Sequence, residues 1–311
     1  MSYAFVFPGQ GSQSVGMLAD LASAHDEVKD TFAEASDALG YDLWKLVQEG
    51  PEESLNSTER TQPALLAAGV AVWRVLAENG VKRPEIMAGH SLGEYSALVC
   101  AGALDFADAI RLVEFRGQAM QEAVPAGTGA MAAILGLADD DVRAVCEASA
   151  NGEVVSAVNF NAPGQVVIAG NKAAVERAVE AAKEKGAKRA IELPVSVPSH
   201  CSLMQPAADK MAERLKDVKI VAPKVPVIHN VDVERHSDPE EIRQALVAQL
   251  HSPVRWVETI EMMSDDGILG VAECGPGKVL AGLNRRIDKT MDVYPVFDVA
   301  SLEKTLDALG D

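Results

Sequence analysis

A chain of 311 residues, 48% of them hydrophobic, can bury a sizeable core in one large domain or two smaller ones. Lys and Arg number 28 against 46 Asp and Glu, and the net charge of −18 argues against general attraction to nucleic acid or an anionic membrane; an acidic partner would need a local basic patch. Cys100, Cys146, Cys201 and Cys274 form neither a C-x-x-C pair nor a dense framework, which predicts no disulfides and a reducing compartment.

The opening, Met1 to Pro8, lacks a basic n-region and a long apolar stretch, and no later segment offers about 18 uninterrupted apolar residues. A cytoplasmic protein without a membrane span is expected. The apolar run Ala4 to Phe7 precedes a Pro-Gly-Gln-Gly turn, then helical patterns over Glu27 to Leu39 and Thr61 to Asn79, the latter with Pro63 in its expected first turn and Gly80 past its end. Leu104 to Ala123 predicts another helix, with Asp105 as N-cap. Beyond Pro125 the rhythm changes to strand Ala130 to Leu135, helix Asp139 to Ser149, strand Val154 to Asn159, turn Asn161 to Gly164, strand Gln165 to Ala169, helix Lys172 to Lys185 and strand Ala187 to Leu193. That βαββαβ order predicts a ferredoxin-like subdomain over 125–197, inserted into a larger domain formed by 1–124 and 198–311. After Ser199, helical segments at Ser202 to Leu215, Pro239 to Gln249 and Val254 to Ser264 alternate with apolar runs at Val225 to Ile228 and Ile268 to Ala272, which favours an α/β domain with a mostly parallel sheet.

Residues Gly89-His90-Ser91-Leu92-Gly93 match G-x-S-x-G between a strand-like run, Glu85 to Ala88, and a helical run, Glu94 to Ala101. At Gly and Ser frequencies of about 7%, about 0.1 chance matches are expected in a chain this long, so the strand-to-helix context carries the inference. In that context the pattern predicts an α/β-hydrolase-like elbow with Ser91 as nucleophile; a structural Gly-rich turn is the competing reading. A serine hydroxyl needs a base, and among the six histidines His200 stands out, in Pro198-Ser199-His200-Cys201 at a domain junction where clefts form. A buried or capping histidine is the alternative. Cys201 reads as packing rather than as a rival nucleophile.

On the Leu104 to Ala123 helix, Arg116 falls on the apolar stripe with Leu112, Val113, Ala119 and Met120, and no carboxylate lies three or four residues away on that face. It is either paired with a distant Asp or Glu, or a clamp for a substrate carboxylate. The Pro8 to Gln13 loop is either a plain turn or a source of a second oxyanion donor. No metal spacing, Walker pattern or dinucleotide fingerprint occurs, so no metal or cofactor is expected.

Taken together, Phe7-Pro8-Gly9-Gln10-Gly11, Gly89 to Tyr95, Arg116-Gly117 with Met120, Gly129 to Ala133, Asn159 to Gly164, Val197 to Cys201, Gln249 to Trp256 and Glu273 to Gly277 resemble the malonyl-CoA:acyl carrier protein transacylases of fatty-acid synthesis along nearly the whole chain. The resemblance implies that Ser91 is acylated and that His200 is its base and acid, oriented by the main-chain carbonyl of Gln249. Gln10 and Leu92 would form the oxyanion hole, Arg116 would hold the malonyl carboxylate, and Met120 and Asn159 would line the substrate site. It also implies malonyl-CoA and acyl carrier protein as partners, a ping-pong reaction and a monomer that engages neither nucleic acid nor membrane. Lys188-Arg189, Lys278 and Arg285-Arg286 are candidates for docking an acidic carrier protein. Three rivals remain: a serine esterase or thioesterase drawing its acid from Asp105, Asp108 or Asp139 to Asp141; a non-catalytic docking module; and an acyltransferase for methylmalonyl or another acyl-CoA, although Leu92 and Ser199 resemble the malonyl-selective pattern.

Overall fold

The computed structural model describes residues 2–125, 127–195 and 197–310; Met1, Ala126, Ser196 and Asp311, which fall at or within the expected domain limits, lie outside the described residues. The chain begins with β1 (Tyr3–Phe7), α1 (Ala19–Ala24), α2 (Asp26–Leu39), α3 (Leu43–Glu49), α4 (Glu52–Leu55), α5 (Thr58–Glu78), β2 (Ile86–Gly89), α6 (Gly93–Cys100) and α7 (Phe106–Ala123). The middle carries β3 (Gly129–Leu135), α8 (Asp139–Ser149), β4 (Val155–Ala162), β5 (Gln165–Asn171), α9 (Lys172–Glu184) and β6 (Arg189–Glu192). It continues through α10 (Gln205–Leu215), β7 (Val227–Ile228), α11 (Pro239–Gln249), α12 (Trp256–Asp265), β8 (Gly270–Cys274), α13 (Val279–Ile287), β9 (Asp292–Val296) and α14 (Val299–Leu309).

The larger sheet has the order β7-β2-β1-β8-β9 with every pairing parallel. Helices cover both of its faces, which is why β1, β2 and β8 are buried at every position and read as unbroken apolar runs rather than alternating ones. Glu273 is the polar residue in β8; its carboxylate accepts the Leu280 and Ala281 N–H groups at 3.0 and 2.7 Å and so caps α13. The order reverses between β1 and β8, and the carboxyl end of β1 at that switch point, next to that of β2, is where an open α/β sheet offers a crevice.

The smaller sheet is antiparallel, ordered β4-β5-β3-β6, with α8 and α9 packed on it through a separate core that includes Ile134, Ile168 and Val175. This is the ferredoxin-like arrangement. The smaller sheet is tied to the segment preceding α12 where Phe160 N–H donates to the Val254 carbonyl at 3.0 Å and Val254 N–H to the Val158 carbonyl at 2.8 Å.

Local expectations shift where tertiary contacts claim the backbone. α5 starts at Thr58, three residues before the expected Thr61, because the Ser57 carbonyl already accepts from Arg60 and Thr61; Pro63 therefore sits in the second turn, not the first. α12 starts at Trp256 rather than Val254, whose peptide is taken up by β4. β4 runs on to Ala162, which shortens the expected Asn161 to Gly164 turn to Pro163-Gly164, with Gly164 at φ +68° after a proline, the type II signature. The Ser202 to Leu215 segment opens with a 3₁₀ turn before α10. All four cysteines are free and buried, and among the described residues no helix is long and apolar enough to cross a membrane.

Helices α5 and α7 meet at Gly117, where an added Cβ would lie 2.6 Å from Glu59 Cα. Gly117→Ala should therefore separate the helix that carries Arg116 from α5 and cost about 1–3 kcal/mol, read as a lower urea midpoint at unchanged slope.

Candidate active site

Ser91 sits on a sharp turn between β2 and α6 with φ +50°, a left-handed conformation that a serine adopts only when its surroundings impose it. The flanking glycines are required by contact: a Cβ at Gly89 would lie 1.8 Å from Gly93 C, and one at Gly93 would lie 2.0 Å from the Phe7 carbonyl oxygen. The bend is held from across the fold by Asn230, whose Oδ1 accepts Ser91 N–H at 2.7 Å while its Nδ2 donates to the Gly89 carbonyl at 2.7 Å.

His200 also has positive φ, +66°, and is buried. Ser91 Oγ–H donates to His200 Nε2 at 2.8 Å, and Nδ1–H donates to the main-chain carbonyl of Gln249 at 2.8 Å. These two bonds fix the tautomer that leaves Nε2 free to take a proton. Burial, and then the Arg116 charge, lower His200 to about 3, so the ring is neutral in the resting site. The acids of the esterase alternative lie elsewhere: Asp105 caps α7, Asp108 pairs with Arg111, Asp140 with Arg143 and Asp141 with Lys185, and Asp139 is in the first turn of α8. Cys201 Sγ–H points to the Pro198 carbonyl, and burial pushes its thiol up to about 11, the state of a packing residue.

Arg116 is 1% exposed. Of the two pairings open to it from sequence, the structural ion pair is not formed: among the described residues no carboxylate lies within 4.0 Å. Instead Nη1 donates to Gln62 Oε1 at 2.9 Å and Nη2 to Gln249 Oε1 at 2.8 Å, with the Tyr95 ring 5.5 Å away. Nη2 also reaches Ser91 Oγ at 3.3 Å, and Nε is buried with no partner in the protein. A buried cation held by neutral amides beside the Ser91 hydroxyl is an incomplete ion pair, of the kind a ligand carboxylate would complete.

These groups border a cavity of about 110 Å³ whose lining includes Gln10, Leu92, Met120 and Asn159 together with Ser91, His200 and Arg116. The Gln10 loop lies against the elbow so closely that a Cβ on Gly9 would be 2.5 Å from the His90 carbonyl oxygen. The N–H groups of Ser91, Gly93, Glu94 and Tyr95 each have an acceptor within the protein, which leaves that of Leu92 at the start of α6. Asn159 presents a buried Oδ1 without a partner. His90 turns aside to Asn161, 2.8 Å from its Nε2, as its place next to the nucleophile suggests. Only the backbone of Gln249 was expected here, yet its side chain matters as much; Glu94 stood within the Gly89 to Tyr95 stretch without a role, and Gln62, His229 and Asn230 carried no sequence signal that marked them. Among the described residues no group of three His, Cys, Asp or Glu is placed to hold a metal ion.

Known proteins bear on this geometry. Residues 4–304 match the acyl transferase domain family. The malonyl CoA-acyl carrier protein transacylase of Haemophilus influenzae is 62% identical over 300 residues, covering 96% of each chain. The crystal structure of an acyl carrier protein S-malonyltransferase from Vibrio cholerae superposes with a TM-score of 0.96 at 63% identity, covering 98% of this chain and 100% of that one. A malonyl-transacylase solved in complex with a type II PKS acyl-carrier protein gives a TM-score of 0.98 at 60% identity over 99% of this chain and 100% of that one. The chain belongs to the acyl transferase domain family.

A neutral ring acting as a base would lose activity as pH falls through the folded value, not through the ordinary 6.5. An unshifted histidine would lose about 25-fold in its neutral fraction between pH 7 and pH 5. Here kcat/KM for acylation should change by less than about twofold over that interval; a rate profile with an acid limb near 6.5 would contradict the buried, Arg116-facing environment.

Proposed function

We propose that this member of the acyl transferase family moves a malonyl group from malonyl-CoA to the phosphopantetheine thiol of an acyl carrier protein, supplying extender units for fatty-acid synthesis. The observation that carries the reading is Arg116, a buried guanidinium lacking a carboxylate partner and within 3.3 Å of the Ser91 hydroxyl that His200 activates. A hydrolase of neutral esters has no use for that cation. A short acyl group ending in a carboxylate fits both the charge and the small cavity.

In the reaction, Ser91 Oγ attacks the thioester carbonyl as its proton passes to His200 Nε2. The Leu92 and Gln10 N–H groups receive the oxyanion. Collapse of the tetrahedral intermediate breaks the C–S bond, the proton on His200 goes to the departing sulfur, and a malonyl-serine ester and coenzyme A result. The carrier thiol then gives its proton to His200, attacks the ester, and regenerates Ser91 by the reverse sequence. Arg116 holds the far carboxylate through both halves, with Met120 and Asn159 along the acyl chain, and so favours the oriented thiol over water. No cofactor is required by these steps. Residues 1–124 and 198–311 serve as the acyltransferase core and 125–197 as the ferredoxin-like subdomain. Action as a monomer is part of this reading, and free buried cysteines suit a cytoplasmic setting.

The test is covalent. Intact mass after incubation with malonyl-CoA should show one malonyl adduct on the wild-type protein and none on Ser91→Ala, and holo carrier protein should remove it; an unlabelled wild type would overturn the assignment, and loss of the adduct to water alone would point to a thioesterase. Arg116→Ala should slow malonyl acylation by about 30-fold or more, the rate equivalent of about 2 kcal/mol, while neutral acyl groups lose far less. Unchanged selectivity would remove the clamp.

Docking is expected at two exposed basic sites. Lys278 follows Gly277, which lies near Ser12 of the Gln10 loop, and Lys188-Arg189 open β6, whose continuation through Leu193 and Val195 lines the cavity. Arg285 and Arg286 flank the first of these on α13. Charge reversal there should slow transfer to the carrier protein by at least about tenfold at low salt while leaving acylation by malonyl-CoA intact; equal loss in both half-reactions would place docking elsewhere.

A further inference from the structure

Glu94, in the first turn of α6, is fully buried and has no contact with Ser91 Oγ, yet its carboxylate gathers three donors: His229 Nδ1–H at 2.7 Å, Asn230 N–H at 2.9 Å and Gln249 Nε2–H at 2.9 Å. Donors alone face it, so both of its oxygens act as acceptors. His229 Nε2, on the far side of the ring, is buried without a partner, so the ring's proton belongs on Nδ1, toward Glu94.

The opposite charge is one amide away. The Gln249 side chain donates to Glu94 through Nε2 and accepts from Arg116 Nη2 through Oε1. A direct bridge would have used the guanidinium's donors and closed it to a ligand; the intervening amide offsets the charge and leaves Nε unpaired. The amide cannot turn over, because Nε2 also donates to the Ser91 carbonyl at 3.0 Å and a flipped Oε1 would face Glu94.

Arg116 and His200 share the Ser91 hydroxyl, at 3.3 and 2.8 Å, so any proton that reaches Nε2 forms close to the guanidinium. Arg116 from α7 and His90 after β2 are the charged or titratable groups that press on His200, and Arg116 is the stronger. We infer that Glu94 is a positioning and specificity-determining residue: its buried charge, relayed by Gln249, offsets Arg116 enough for His200 to accept the serine proton, and the carboxylate of the incoming acyl group supplies the remainder. This rests on the malonyl-transfer reading. Acyl groups with a carboxylate are then favoured in the chemical step as well as in binding, since a neutral acyl group leaves Arg116 offset by Glu94 alone.

Single-turnover acylation by malonyl-CoA and acetyl-CoA, followed by intact mass, separates the possibilities. Glu94→Gln keeps the volume, and its hydrogen bonds survive if His229 moves its proton to Nε2, so the variant removes charge and little else. Losing the offset should slow acetyl transfer to Ser91 by about tenfold, the equivalent of one unit of histidine basicity, and malonyl transfer by only about twofold, so that the malonyl-to-acetyl ratio rises. A merely structural role would slow both alike or lower the ratio, and either result overturns the inference. On an Arg116→Gln background there is no cation to offset, so adding Glu94→Gln should not slow acetyl transfer further; an equal slowing there overturns it too. If Glu94→Gln alone fails to fold, recovery of a folded protein in the double variant supports the charge pairing and failure to recover refutes it. A wild type that malonyl-CoA does not acylate on Ser91 in this assay refutes the transfer reading itself.

Discussion

A guanidinium sealed from water and gripped by two neutral amide oxygens is the constraint around which the site is arranged. Burying a cation without an adjacent anion is costly, and removing its partners would cost more, so Gln62 on α5 and Gln249 at the end of α11 must be held in place by the packing of distant helices. Gln249 links the most groups: its carbonyl orients His200, its side-chain oxygen holds Arg116, and its side-chain nitrogen reaches both Ser91 O and Glu94. Ser91, His200 and Arg116 are thus aligned by one uncharged residue.

The reacting pair is held in a demanding backbone state. Ser91 and His200 both have positive φ, and neither is glycine. The compensation is spread over the fold: α6 begins directly after Ser91, Asn230 closes on both sides of the bend, and the Leu250 carbonyl accepts His200 N–H at 3.0 Å. Ser91 Oγ consequently projects from the sheet edge toward the cavity instead of following the helix. The Gln10 loop reaches it only because Gly9 lacks a side chain.

What could be read from the sequence was what local sterics or periodicity dictate. The elbow was legible because glycine is obligatory on both sides of Ser91, and Arg116 because a charged residue on an apolar helical stripe breaks a pattern. The ferredoxin-like order was legible from alternating strand and helix runs, with errors confined to ends such as Val254 and Asn161, where a strand from elsewhere recruits the peptide. Helices α1, α3 and α4 and the run from α13 to α14 went unread, the first three being too short for periodicity to register. The role of Glu94 was beyond reach, since its donors lie 135 to 155 residues away and a glutamate at the start of a helix looks like ordinary capping. His229 and Asn230, in a short loop after a two-residue strand, gave equally little warning.

The backbone bonds between Val254 and β4 lie five residues beyond Gln249, and they stitch the small sheet to the segment that aims the imidazole. A second seam, from the Arg286 guanidinium to the Pro163 carbonyl, spans the same junction. Such stitching opposes a clamshell motion between the small sheet and the rest of the chain. On the proposed reading, selection among acyl groups then rests on the depth of the cavity and the charge at its floor rather than on closure around the ligand.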